Sequence, residues 1–269
     1  MFQPLAPSGA QLASWYAYMG RNPANLLVSP LLRRRLTRVL DRLEPYRRTG
    51  RLLDVGCGGG GLLRVAASLG WTAHGTEISA TCCALLRPML GERLHEGTLA
   101  SAPFEAGTFD VAIMTEVIEH LVDPLEYARA AHRLLAPGGA LLLTTPNIRG
   151  ASARLLGTAW EAVGDEHLAY FDRTSMRVLL RRAGFSDVRI TLTSLDIRAV
   201  VARLRGTLRP KPEGASRPIP TAEVETAPPR DGLAARVRAG LVDHSMEMVN
   251  RVVGGLRLGD NMRVLAIKS

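Results

Sequence analysis

Residues 51–63 read RLLDVGCGGGGLL: a short apolar run carrying the carboxylate Asp54 leads straight into five glycines interrupted only by Cys57. An apolar run of this length, bounded by a turn signal, reads as a buried strand. The glycines remove side chains where a backbone must turn sharply and let a ligand come close. Gly56, Gly58 and Gly61 satisfy G-x-G-x-x-G, a spacing that by itself does not choose a ligand. What it predicts is a strand, a tight loop and a helix, with something held at the loop.

The chain outward from this loop alternates. GLLRVAASLG reads as a helix closed by Gly70, TAHGTE as a second strand ending at Glu77, and Ser79 as the cap of a helix through CCALLRPML. A third strand is expected near residues 94–99, and FDVAIMTEV is the fourth. Asp123 and Pro124 supply an N-cap and a first-turn proline. The helix they start is expected to run to Pro137, Gly138 and Gly139, before ALLLTTPN as the fifth strand. DRTSMRVLLRRAGF is a helix capped by Asp172, SDVRITLTSLDI a sixth strand, and NMRVLAIKS the last. Strands alternating with helices indicate a doubly wound, mostly parallel α/β sheet of about seven strands, Rossmann-like, with ligands beyond the carboxyl ends of the strands. Asp54, Glu77, Thr115, Glu116 and Asn147 all fall at such ends.

The 269 residues suit a single domain. Residues 1–49 form a helical cap, in which PLLRRRLTRVLDRLE (30–44) carries a leucine stripe opposite its arginines. Residues 50–197 and 259–269 form the core. Residues 198–258 are an insertion, with a proline-rich loop over 206–230 and a helix from Asp231. No apolar run approaches the ~20 residues of a transmembrane helix, though a basic amphipathic helix also suits peripheral contact with a membrane. Three cysteines, two of them adjacent, do not form a disulfide framework and point to a reducing, cytoplasmic setting. The net charge of +9 is almost all arginine and scattered, without zinc spacing, helix-turn-helix pattern or aromatic RNA-binding signature. Composition therefore argues against a nucleic-acid partner and points to no particular oligomeric state.

The acid before the glycines separates the ligand classes. A carboxylate at Asp54 would repel a pyrophosphate and suits a ligand bearing an ammonium group, which counts against a nicotinamide dehydrogenase. Glu77 ends the next strand, where it can accept from ribose hydroxyls in either case.

Together these segments resemble the class I S-adenosylmethionine-dependent methyltransferases. LLDVGCGGGGLL resembles the family's cofactor loop, GTFDVAIMTEVIEHLVDP its fourth strand, and LAPGGALLLTTPN its passage into the fifth. GTAWEAVGDEHLAYFDRTSMRVLLRRAGF is similar to the branch that methylates oxygen in quinone biosynthesis and natural products. The resemblance implies S-adenosyl-L-methionine as cofactor, S-adenosyl-L-homocysteine as product, and an antiparallel last strand over 261–268. It places Asp54, Gly56, Cys57 and Gly58 at the methionine portion, Glu77 on the ribose, and Ile78 and Leu99 on the two faces of the adenine. Thr115 and Glu116 would lie near the methionyl amine. Thr98 stands where the family usually has an aspartate on the adenine amino group.

The acceptor implied is a small molecule, with a hydroxyl oxygen of a secondary metabolite or quinone-like compound favoured over nitrogen or carbon. An RNA substrate and a non-catalytic cofactor-binding protein are the competing readings. Of six histidines, His120 and His167 fall on the ligand side; His74, His95, His132 and His244 read as structural. His167 is expected to be the general base in preference to His120, since it neighbours Trp160, Tyr170 and Phe171, an apolar wall for an aromatic acceptor. Asn147, Trp160 and Tyr170 are the expected acceptor contacts. No histidine or acid cluster has metal-ligand spacing, so no metal is expected.

Overall fold

The computed structural model describes residues 28–164, 167–194 and 258–269. The proline-rich stretch 206–230, the helix expected from Asp231 and His244 lie outside the described residues.

Seven strands form one sheet in the order β3-β2-β1-β4-β5-β7-β6. They are β1 (Arg51–Val55), β2 (Thr72–Glu77), β3 (Leu94–Glu96), β4 (Phe109–Thr115), β5 (Leu135–Pro146), β6 (Asp187–Thr193) and β7 (Asn261–Ile267). β1 pairs in parallel with both β2 and β4, and the chain direction across the sheet reverses there. β7 inserts antiparallel between β5 and β6, as the resemblance implies.

Both faces are covered, and the period of two along each strand sorts the side chains. Leu53, Val55, Ala112, Met114, Leu141 and Leu143 point to one core; Leu52, Val111, Ile113, Ala140 and Leu142 point to the other. The first core is closed by α4 (Pro124–Leu134), through Ala128, Ala131 and Leu134, and by α6 (Arg173–Arg182), through Met176 and Leu180. The second takes α1 (Pro30–Asp41), α2 (Gly61–Ser68) and α3 (Ala80–Leu90). α5 (Ala151–Leu156) packs with Trp160 in a small satellite cluster.

Local signals explain most boundaries. Ser29 caps α1 by accepting from Leu32 N–H at 3.2 Å, with Pro30 at the first helical position. Leu40 and Leu43 of its stripe are buried, whereas Leu32 stays 40% exposed, so the stripe packs only toward its end. Asp123 caps α4, and Asp172 forms a capping box with Ser175 on α6. Asp110 accepts the backbone N–H groups of Arg48, Thr49 and Gly50 at 2.7–2.8 Å, which pins the residues leading into β1.

Two boundaries differ from the sequence reading. α4 ends at Leu134, before the Pro-Gly-Gly, and β5 begins at Leu135 opposite Phe109. The Pro-Gly-Gly serves instead as a register shift within the strand. A Cβ at Gly139 would stand 2.8 Å from Ala136 O and 2.9 Å from Asp110 O, a space only glycine fits. β3 stops at Glu96 because Gly97, at φ +150°, turns the chain while its N–H donates to Glu77 O at 2.8 Å. Thr98 and Leu99 therefore sit in a turn above the sheet rather than in a strand.

Candidate functional site

A pocket of about 220 Å³ opens at the carboxyl ends of β1, β2 and β4. Its floor is the glycine loop. The N–H groups of Gly56 and Cys57 both donate to Thr76 O, at 2.9 and 3.1 Å, which folds the loop back over β2. Gly56 has φ +68°, and a Cβ there would meet Val117 Cγ2 at 2.9 Å, so a side chain is excluded on both counts.

Glu77 organises the adjoining wall. Its Oε1 accepts from Ile78 N–H and Ser79 N–H at 2.9 and 2.8 Å, and its Oε2 accepts from Gly58 N–H at 2.7 Å. Three backbone donors fix the carboxylate, and Oε2 keeps acceptor capacity toward the cavity. Glu77 and Gly58 line that cavity together with Gly56, Ile78, Thr98, Leu99, Thr115, Glu116 and His120.

Two residues expected in the cofactor site lie beneath it. Cys57 is buried, and its Sγ occupies the space beside Gly75, where a Cβ would come within 2.8 Å. Its thiol is held protonated, well above the ordinary range, mainly by burial and then by Asp54 and Glu77. Asp54 is 5% exposed, and its carboxyl is pushed up to about 8, first by burial and second by the charge of Glu77. Neither is among the lining residues; Asp54 sits just below the floor as a group whose charge depends on what lies above it.

The opposite wall follows β4. Glu116 adopts φ +51°, a left-handed conformation strained for a side-chain-bearing residue, and its Oε1 accepts from the Thr144 hydroxyl at 2.6 Å. A short 3₁₀ turn over Ile118–His120 then buries Glu119 and brings His120 to the cavity. Glu119 Oε2 accepts from the Thr145 hydroxyl at 3.1 Å, while its buried Oε1 has no hydrogen-bond partner. Burial, and then Glu116, raise its carboxyl well above the usual range. The main-chain carbonyl of Glu119 accepts from Leu168 and Ala169 N–H at 2.8 and 3.0 Å. That clamp sets His167 behind His120, with ring centroids 4.7 Å apart and planes at 73°. His167 Nδ1 lies 2.7 Å from Ala162 O; a carbonyl only accepts, so Nδ1 carries the hydrogen.

The fold thereby assembles what chain spacing concealed. Glu119, His120 and His167 present ligand atoms within 4.8 Å of one another, the one such group among the described residues. No metal was expected from the sequence, because His167 is remote from the Glu-His pair along the chain.

The three expected acceptor contacts are placed differently. Trp160 is buried against Ala153 and Leu156. The Tyr170 hydroxyl donates to Gly164 O and accepts from Gly164 N–H, both at 3.2 Å. Asn147 donates to Gly259 O at 2.7 Å and accepts from Arg149 N–H at 3.1 Å. The polar atoms of Tyr170 and Asn147 hold the segment after β5 and its junction with β7, and none of the three residues lines the cavity. Conversely Cys82, Val117, Leu121 and Tyr127 line it unforeseen. Tyr127 was legible in principle, one turn beyond the Asp123 cap on the helix that rises from β4.

A family described as a methyltransferase domain matches residues 30–190. The chain is 42% identical over 102 residues to a ubiquinone biosynthesis O-methyltransferase of Ruegeria pomeroyi, covering 36% of this chain and 41% of the relative. It is 35% identical over 156 residues to the enzyme of the same description from Dinoroseobacter shibae, covering 53% and 62%. The chain thus spans less than two thirds of these relatives. Among solved structures, a SAM-dependent methyltransferase from Archaeoglobus fulgidus matches with a TM-score of 0.55 at 17% identity, covering 88% of this chain and 94% of that one. A Haemonchus contortus phosphoethanolamine N-methyltransferase 2 in complex with S-adenosyl-L-methionine matches at 0.56 and 20%, covering 97% and 57%.

Proposed function

Because the chain belongs to the methyltransferase domain family, of the class I S-adenosylmethionine-dependent kind, we propose that it methylates a hydroxyl oxygen of a small, quinone-like or secondary-metabolite acceptor. The observation that carries this reading is the Glu77 carboxylate, fixed by three backbone N–H groups at the edge of a side-chain-free loop. The donor set fits an adenosyl ligand. Oε2 of Glu77 would accept from a ribose hydroxyl, Ile78 and Leu99 of the cavity lining would flank a nucleobase, and Asp54 would lie below an ammonium end. Bound S-adenosylmethionine supplies a methyl group on a sulfonium, which leaves as the neutral thioether S-adenosylhomocysteine.

The chain's own tasks are then to orient the acceptor oxygen, exclude water and take its proton. His120 lies in the cavity wall and His167 behind it, so His120 is the better placed base, with His167 backing its ring. This reverses the preference drawn from the neighbouring aromatic residues. Oxygen as the methylated atom is supported by the names of the sequence relatives. Among the described residues no helix is long and apolar enough to cross a membrane. Three buried free cysteines support a cytoplasmic setting.

A second reading has its own observation. The orphaned Oε1 of Glu119 beside His120 and His167 is a donor set for a divalent cation, which would lower the acceptor's pKa in place of a histidine base. One assay separates the readings: S-adenosylhomocysteine formation with a panel of catechols and hydroquinols, before and after chelator treatment and magnesium addition. Metal-independent turnover supports the base; activity restored only by the cation supports the second reading. Absence of S-adenosylhomocysteine binding in calorimetry, or tighter binding of NAD, overturns both.

A further inference from the structure

The first half of α1 presents a basic and apolar surface that the fold does not cover. Residues 28–43 carry five arginines against a single carboxylate, Asp41. Leu36, Val39 and Leu40 turn to the second core, but every residue from Ser29 to Arg35 is exposed, with Leu31 and Leu32 at 40% each. Leu31 stands outside the stripe that the core takes. Side chains three, four and seven positions further on share its face, and these are Arg34, Arg35 and Arg38. No acid stands in the first turn to offset the positive end of the helix dipole. Arg33 donates to the Ser68 hydroxyl at 3.0 Å, whereas Arg34 and Arg35 have no carboxylate partner among the described residues.

We propose that this half of α1 docks on an anionic lipid surface, with its arginines among the headgroups and Leu31 and Leu32 at the boundary with the acyl chains. Each part of the patch has a counterpart there. Lipid phosphates neutralise several arginines at once, an attraction that adds with each basic side chain near the surface. The acyl boundary takes exposed leucines out of water. A nucleic acid offers phosphates without an apolar layer and would leave both leucines against a charged backbone. A second copy of the chain would bring like charges face to face. Val28, just ahead of the helix, has its Cγ2 3.7 Å from where a Cβ on Gly61 would stand. Gly61 opens α2 directly after the loop that floors the cavity. The docking patch and the cavity therefore share one end of the sheet.

The test is co-sedimentation of the full chain with vesicles of phosphatidylcholine alone and of an equimolar mixture with phosphatidylglycerol, at low and at physiological salt. Wild type is expected to pellet with the mixed vesicles, less as salt rises, and not with the neutral ones. Arg34→Glu/Arg35→Glu should lower the partition at least about tenfold, and Leu31→Ser about threefold without altering the salt dependence. All three positions are exposed, so the core is undisturbed. Arg181→Glu/Arg182→Glu, exposed on α6 at the opposite face of the sheet, makes the same change of charge and should cost less than about threefold. A loss in that control as large as in the α1 variant overturns the inference, as does a Leu31→Ser partition equal to wild type. Binding to neutral vesicles as strong as to anionic ones, or to neither, overturns it too. Tighter binding of a single-stranded RNA oligomer, unchanged by Leu31→Ser, assigns the patch to nucleic acid instead.

Discussion

The carboxylate of Glu77 and the backbone N–H of Gly58, 2.7 Å apart, tie the end of one strand to the glycine turn of its neighbour. The loop is thereby held by an acid that also lines the cavity, and one substitution strikes both roles. Glu77→Gln keeps the size of the side chain but replaces one acceptor oxygen by an NH2 group that cannot accept from the backbone N–H groups. Affinity for S-adenosylhomocysteine should fall by about 1–3 kcal/mol, the usual cost of a lost charged hydrogen bond. Titration calorimetry checks this, and unchanged affinity would remove Glu77 from the site.

Binding is expected to be proton-linked through Asp54. Its carboxyl is raised from 3.8 to about 8, so between those values the folded protein holds a proton that the unfolded chain has lost. This group's contribution to stability is therefore largest at low pH and declines as pH rises toward 8. An ammonium placed above it favours the ionised form and expels the proton. Calorimetry at pH 7 in phosphate and in Tris should give different apparent enthalpies for S-adenosylmethionine, with the difference abolished in Asp54→Asn. Equal enthalpies in both buffers would separate Asp54 from the ligand's charge.

His120→Ala should reduce turnover by roughly two to four orders of magnitude, the span expected for losing a general base. His167→Ala should cost clearly less, because that ring packs on His120 and is not among the residues that line the cavity. Single-turnover rates with saturating cofactor decide it; a larger loss in His167→Ala would return the base to that residue.

Gly60→Ala should destabilise the fold by about 1–3 kcal/mol, through both backbone strain and overpacking. Gly60 has φ +73°, and a Cβ there would collide with Leu86 Cδ2, a side chain fully buried in the second core. Urea unfolding measures the shift; in a double-mutant cycle with Leu86→Ala the combined loss should be smaller than the sum of the two single losses, because the clash is then gone.

How much of this the sequence disclosed depends on the range of the interaction. The alternation of strands and helices, the caps at Ser79, Asp123 and Asp172, and the antiparallel last strand follow from period, turn residues and motif resemblance, all of them local or read from a family pattern. Lining by Glu77 is legible because it ends a strand, and lining by Gly56, Gly58 and Thr98 because the motif resemblance implies it. Asn147 sits at one too, yet its amide is taken by Gly259, a partner 112 positions away that no local pattern reveals. The same holds for Glu119 and His167, joined only by the carbonyl clamp on Leu168 and Ala169. Aromatic character made Trp160 and Tyr170 candidates for an acceptor wall; burial of one and the Gly164 bonds of the other spend that character on structure.

The position of β7 has a bearing on how the molecule is made. It is the last of the seven strands in chain order, yet it lies between two that precede it, and among the described residues β6 pairs only with β7. While the chain is still emerging from the ribosome, β5 exposes one unpaired edge and β6 exposes two, each a template for pairing with another nascent chain. Translation that stalls before Asn261 therefore leaves an aggregation-prone product rather than a smaller working domain, and its fate rests with chaperones.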